Sequence, residues 1–148
     1  MPDQIRPNPL HILLVEDNPG DVRLAEEAFK EGNILSDLHV VADAEEALAF
    51  LRREADYTDS VRPDLILLDL DLPGKSGLEA LEEIKADQNL RTIPVVILTA
   101  SSTERDFYQT RNFQASGYVI KPLDAGRFAA LAQFIKTIHD DSDSQFPQ

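Results

Sequence analysis

The stretch Leu65-Ile-Leu-Leu-Asp69 constrains this chain more than any other. Its four apolar residues run without alternation. That reads as a strand buried on both faces, the kind found inside a parallel sheet. The run stops at a carboxylate. In the following Leu70-Asp71-Leu72-Pro73-Gly74-Lys75-Ser76-Gly77, the proline and two glycines force a turn, and a helical pattern begins at Leu78. An acid at the carboxyl end of a central parallel strand stands where open α/β sheets place their chemistry. Taken alone, Asp69 could equally be no more than the first residue of the turn. The ends of the other strands weigh against that.

Those strands alternate with helical patterns along the chain. Residues 1–9 carry Pro2, Pro7 and Pro9 and read as a flexible N-terminal arm. His11 to Val15 is a buried strand that ends in the turn Glu16-Asp17-Asn18-Pro19-Gly20. Pro19 suits the first turn of a helix and Asp21 its positive end. Val22, Ala25, Ala28 and Phe29 mark one face of that helix, which ends near Gly32. Leu38 to Ala42 is the second strand. Asp43 caps a second helix, with Glu46 placed as in a capping box, and Ala47, Leu48, Phe50 and Leu51 form its apolar side. Residues 52–62 are long for a helix-to-strand connection and read as an extended end of that helix rather than a functional insertion. A third helix uses Leu78, Leu81 and Ile84. Pro94 to Leu98 is a fourth strand, reaching Thr99. Ser102 or Thr103 can cap a weakly amphipathic fourth helix carrying Phe107, Tyr108, Arg111 and Phe113. Tyr118-Val119-Ile120 is the fifth strand and stops at Lys121-Pro122. The last helix, about residues 125–139, buries Phe128, Leu131, Ala132, Ile135 and Ile138, and leaves Phe134 off that face as an exposed residue or a partner contact. Residues 140–148 read as a disordered acidic tail.

Five alternations of strand and helix predict an α/β fold. The expected form is a doubly wound five-stranded parallel sheet of order 2-1-3-4-5, flavodoxin-like, with helices on both faces. The 148 residues suffice for one such domain, over residues 10–139.

Only the carboxyl ends of the strands then matter. Strand one supplies Glu16 and Asp17, strand three Asp69 and Asp71, strand four Thr99, strand five Lys121. Three carboxylates within about 5 Å of one another repel by several kcal/mol at an effective dielectric of about 20. Either one is protonated or a cation sits among them. A donor set of oxygen alone favours a hard ion, Mg²⁺ before Ca²⁺. Lys121 can hold a carboxylate or a phosphoryl oxygen, and Thr99 can donate to the same oxygen. The set suits an aspartate that accepts a phosphoryl group as nucleophile. It does not suit a phosphate-binding loop: GxxxxGK[ST] is missing, and the first turn carries two acids. His11, His39 and His139 show no ligand spacing and read as structural or surface residues.

Four segments carry a family pattern: Leu13-Leu14-Val15-Glu16-Asp17-Asn18, Asp64 to Gly77, Ile93 to Ala100, and Gly117-Tyr118-Val119-Ile120-Lys121-Pro122. In them the chain resembles the receiver domain of two-component response regulators, over residues 10–139. The resemblance implies that Asp69 is the phosphoacceptor. It implies that Glu16, Asp17 and Asp69 bind Mg²⁺ together with the backbone carbonyl of Asp71. Lys121 and Thr99 would respond to the phosphoryl group, and Tyr118 would be the switch aromatic. The donor would be a sensor histidine kinase. The chain would be a signalling phosphoacceptor rather than an enzyme, with self-catalysed phosphotransfer and slow autodephosphorylation as its only chemistry. Asp71 departs from the asparagine common at its position, which adds a negative side chain near the site. Leu123 departs from the commoner aromatic or valine. The run Glu16 to Leu24 and the long connection before strand three are similar to single-domain regulators that partner phytochrome-type kinases. Output is then expected through a downstream protein partner, a phosphotransfer protein or a homodimer. A rival reading, a phosphatase using Asp69 and Asp71 as nucleophile and acid, resembles haloacid-dehalogenase-type hydrolases. Those carry the pair on the first strand and add a cap domain. A second rival is a binding module of the same fold without phosphorylation, but every expected site residue is present.

Composition limits the partners. Five lysines and nine arginines face sixteen aspartates and eleven glutamates, a net charge of −13. That argues against nucleic acid and anionic membrane. No cysteine is present, so disulfides and thiolate metal sites are excluded. No run approaches the ~20 apolar residues of a membrane span, the N-terminus has no signal-peptide core, and a cytoplasmic place is expected. Such self-repulsion destabilises a compact state unless salt screens it, which suits a high-salt cytoplasm as well as an ordinary acidic protein. The high-salt reading predicts a melting temperature that rises from low to molar KCl, followed by circular dichroism. An unchanged value points to the ordinary one.

Overall fold

The third strand sets the architecture. β3 (Leu65–Asp69) is buried along its whole length, and its side chains alternate between two cores. Leu65 and Leu67 enter one, Ile66 and Leu68 the other. The computed structural model describes residues 9–32, 34–100 and 115–140. The expected fourth helix, the arm before residue 9 and the tail after residue 140 lie outside the described residues.

β3 lies between β1 (Leu10–Val15) and β4 (Val95–Thr99); β2 (Ser36–Val41) and β5 (Gly117–Ile120) are the outer strands. All four pairings are parallel and the order is β2-β1-β3-β4-β5, the expected flavodoxin-like sheet. Leu67 pairs with Leu14 on one side and Val96 on the other. α1 (Pro19–Glu31) and the C-terminal helix (Ala125–Asp140) cover one face through Ala25, Phe29, Phe128, Leu131 and Ile135. α2 (Ala44–Arg52) and α3 (Gly77–Ala86) cover the other through Leu48, Phe50, Leu51, Leu81 and Ile84. Each fully buried Leu or Ile contributes about 1.5–3 kcal/mol, so two such faces are what the unbroken apolar runs require. Among the described residues no helix is long and apolar enough to cross a membrane.

Two close approaches lock the helices onto the sheet. A Cβ on Gly77 would collide with the carbonyl oxygen of Asp69 and stand 2.8 Å from Leu70 Cα, so only glycine lets α3 start directly behind the end of β3. Gly32 closes α1 at φ −77°, outside the left-handed region. Its small size matters instead, because a Cβ there would overlap the ring of Phe128. That ring meets Phe29 edge-on at 5.1 Å.

Three expectations need correction. The Asp43 carboxylate does accept from the Glu46 amide (2.8 Å), but Glu46 reaches back to the amide of Ala42 (2.8 Å), one residue before the cap. The reciprocal capping box forms at α3 instead, between Ser76 and Glu79. Residues 52–62 do not extend α2. Arg53 and Ala55 sit in the left-handed region at φ 58° and 54°, and a short 3₁₀ turn spans Ala55–Tyr57. The Tyr57 hydroxyl donates to the free oxygen of Glu46 (2.8 Å) and the Ser60 hydroxyl to the Phe50 carbonyl (2.7 Å), folding the connection back on α2. Phe134 is half-buried against the core shared by α1 and the C-terminal helix. It covers the margin of that core.

The Gly77→Ala variant is expected to lose about 1–3 kcal/mol in urea unfolding, the usual cost of inserting a methyl where backbone already packs.

Candidate functional site

Parallel strands of matched register end at one edge, and the polar residues that terminate them meet there. Asp69 closes β3 with 2% exposure, and Glu16 follows β1 with 2%. The two oxygens of Asp69 are already engaged. Oδ1 accepts from the Asp71 amide (3.0 Å) and Oδ2 from Lys121 Nζ (3.1 Å). Lys121 follows β5, and its amide donates to the carbonyl of Thr99 (2.7 Å). The peptide from Lys121 to Pro122 is cis. The ammonium also donates to Glu16 Oε1 (3.3 Å) and to Asp21 Oδ2 (3.1 Å). One lysine thus ties three carboxylates from the β1 end, α1 and β3.

The first turn is built to hold this arrangement. The Asn18 side chain caps α1 by accepting from the amides of Gly20 (2.8 Å) and Asp21 (3.1 Å). The Asn18 amide donates to Glu16 Oε2 (3.1 Å), so one residue orients both acids. Glu16, Asp17 and Asp69 each bring one carboxylate oxygen within 4.8 Å of the other two. With Asn18, Pro19, Asp21, Asp71 and Lys121 they line an open cavity of about 360 Å³. Asp17 and Asp71 are exposed at its mouth.

Electrostatics follows from the crowding. Burial, then the Asp69 charge and a shared hydrogen bond with Asp69, push Glu16 up to about 7, against the pull of the Asn18 amide and Lys121. Burial acts to lower Lys121, but its hydrogen bonds to Asp21 and Asp69 and the Asp69 and Glu16 charges outweigh it, so Lys121 is held above the ordinary lysine range. The set is short of positive charge, and its exposed donors are all oxygen. That fits a hard divalent ion among Glu16, Asp17 and Asp69.

Thr99 is buried at the end of β4 and shares a sheet face with Ile97. Tyr118 pairs with Ile97, is half-buried on that same face, and has its phenol pushed up by burial. Every residue singled out at the strand ends therefore lies at this edge or one step behind it. Along the sequence Asp21 is legible only as a charge suited to a helix start. Its contact with Lys121 spans 100 residues of sequence. The signal was its place in the first turn of a helix that begins directly after the acid pair.

Residues 12–133 match the family described as the response regulator receiver domain. The chain belongs to the response regulator receiver family. Rcp1 of Synechocystis is 44% identical over 137 residues, 93% of this chain and 92% of that protein. The phosphorylated cyanobacterial phytochrome response regulator RcpA superposes with a TM-score of 0.72 at 39% identity, over 95% of this receiver and 98% of that chain. The Mn²⁺-bound form of response regulator Rcp1 does so with 0.71 at 36% identity, over 95% of this receiver and 100% of that chain.

Raising the Glu16 pKa above 4.5 means the fold favours its proton. The resulting stability is complete below pH 4.5 and is lost as pH climbs through about 7. Without divalent ions, the Glu16→Gln receiver is therefore expected to gain melting temperature relative to wild type over that interval. A constant difference across the pH series contradicts the assignment.

Proposed function

We propose that this receiver takes a phosphoryl group from the phosphohistidine of a sensor kinase onto Asp69. The observation that carries the reading is the position of Asp69: buried at the sheet edge, hydrogen-bonded to Lys121 at 3.1 Å, and within reach of two further acids. In the transfer an Asp69 carboxylate oxygen bonds to phosphorus, the phosphorus–nitrogen bond breaks, and the kinase imidazole keeps the electron pair. An acyl phosphate results. Glu16, Asp17, Asp69 and the backbone carbonyl of Asp71 would hold Mg²⁺. When bound, this ion neutralises charge on the phosphoryl oxygens.

The remaining steps belong to the chain. Lys121 already donates to Asp69, so it needs only to follow the acid's new oxygens as charge builds there. The Thr99 hydroxyl can donate to the same group. Tyr118, two residues behind Thr99 in the β4–β5 register and so on the same face, can fill the space a shift of Thr99 leaves, which makes it the switch aromatic. β5 leads directly into Lys121 and the C-terminal helix, so that side of the molecule would report the change. The Asp71 side chain adds negative charge at the mouth, which slows both phosphotransfer and attack by anionic or hydroxide-like nucleophiles on the acyl phosphate.

Phytochrome regulators among the relatives favour a phytochrome-type histidine kinase as donor. The net charge of −13 favours a protein rather than nucleic acid as the next partner: a downstream target, a phosphotransfer protein or a second copy of the chain. A cytoplasmic place follows from that partnership. The chemistry stays self-catalysed, with slow autodephosphorylation.

Asp69→Asn is expected to reduce labelling by a phosphorylated kinase to background, and chelation of Mg²⁺ to do the same to wild type. Lys121→Ala is expected to take label yet fail to switch, read by Tyr118 fluorescence or partner binding. Wild-type labelling of Asp69→Asn contradicts the acceptor.

A further inference from the structure

Asp21 is the one partner of Lys121 that the proposed chemistry leaves unused. The ammonium has three N–H donors, and each meets an acid: Glu16 Oε1 at 3.3 Å, Asp69 Oδ2 at 3.1 Å and Asp21 Oδ2 at 3.1 Å. Glu16 and Asp69 belong, with Asp17, to the trio whose oxygens converge as ion ligands. Asp21 stands outside that trio, yet it lines the same cavity as Lys121. Its side chain is 29% exposed, that of Lys121 16%.

Both ends of this contact stand on fixed backbone. In the first turn of α1 the Asp21 amide donates to Asn18 Oδ1 (3.1 Å) and the Val22 amide to the Asn18 carbonyl (3.0 Å). The helix is seated on the sheet through Ala25 and Phe29. The Lys121 amide donates to the Thr99 carbonyl (2.7 Å), which leaves its four-carbon stem as the part that can turn.

We infer that Asp21 is a positioning residue for phosphoryl transfer: from the first turn of α1 it holds the Lys121 ammonium beside Asp69 while the other two acids change partners. The role rests on Asp69 being the acceptor. When Glu16 and Asp69 turn their oxygens to a divalent ion, and Asp69 becomes an acyl phosphate, two of the three donors of Lys121 lose their acceptors. Those two can then meet the phosphoryl oxygens, while the third stays on Asp21. Without that anchor the ammonium, on a stem of rotatable bonds, is drawn toward water and toward Asp71 at the mouth. A shift of about 1 Å matters here, because phosphoryl transfer depends almost wholly on positioning and electrostatics. A carboxylate suits the task better than an amide, since a charge-assisted hydrogen bond is roughly twice as strong as a neutral one.

The test uses the full chain in saturating Mg²⁺ with phosphoramidate as donor. Its phosphorus–nitrogen bond breaks as in the kinase reaction, ammonia leaves, and kinase docking does not enter the result. Asp21→Ala is expected to label at least about tenfold more slowly than wild type. Asp21→Asn should fall between them, because its amide oxygen still accepts. A second measurement needs no transfer. The Lys121 ammonium, identified by its loss in Lys121→Ala, is one of only five lysine signals in ¹⁵N spectra. It is expected to stay protected from exchange in wild type on addition of Mg²⁺ and beryllofluoride, and to broaden away in Asp21→Ala. Should Asp21→Ala unfold, Asp21→Asn carries both comparisons. Wild-type labelling rates in these variants, or an ammonium signal indifferent to the substitution, would overturn the role and leave Asp69 as acceptor. Label on Asp69→Asn at the wild-type rate would instead overturn the acceptor, and this role with it.

Discussion

The ammonium of Lys121 is the contact on which the functional edge depends. It reaches acids from three separate parts of the chain, two of them nearly inaccessible to water. Carboxylates so placed would otherwise repel, and burial makes each charge dearer to hold. The fold answers in two ways. It supplies one cation, and it lets Glu16 keep a proton up to a pH of about 7. Both answers are provisional by nature, since a divalent ion or a phosphoryl group can take over the same oxygens. A site held by exchangeable charge can change state without unfolding.

That edge is possible only because the strands deliver their last residues to one level. Continuous apolar runs in β1, β3 and β4 bury both faces of the sheet, and parallel pairing ends them side by side. Gly77 then lets α3 begin against the Asp69 backbone, so the acid is backed by a helix rather than by solvent. Asn18 does the corresponding work at the first turn, capping α1 while it orients Glu16 and Asp21. Position and electrostatics are set by the same few residues.

Much of this was legible along the chain. Period, length and turn residues located all five strands and the first three helices, because each is a local consequence of hydrophobic patterning and capping. Local rules failed where a side chain had two uses. Glu46 lies in capping position, yet its second oxygen holds Tyr57, and that bond rather than helix propensity shapes residues 52–62. Gly32 looks like a helix stop, but its lack of a side chain serves Phe128, 96 residues away. Phe134 lies off the apolar stripe of its own helix, yet it packs against the core formed with the sheet, which a helical wheel does not include.

By itself the sequence determined the alternation of elements, the sheet order they imply and the acids, threonine and lysine that end the strands. These depend on neighbours in the chain, and a receiver pattern repeats them in order. Tertiary structure alone decided which groups touch. Asp21 became a partner of Lys121, and His11 and His39 became a facing pair, because strand register and helix placement bring together residues that no spacing rule connects. Contact energies depend on distances of a few ångströms, and such distances exist only once the sheet has closed its register.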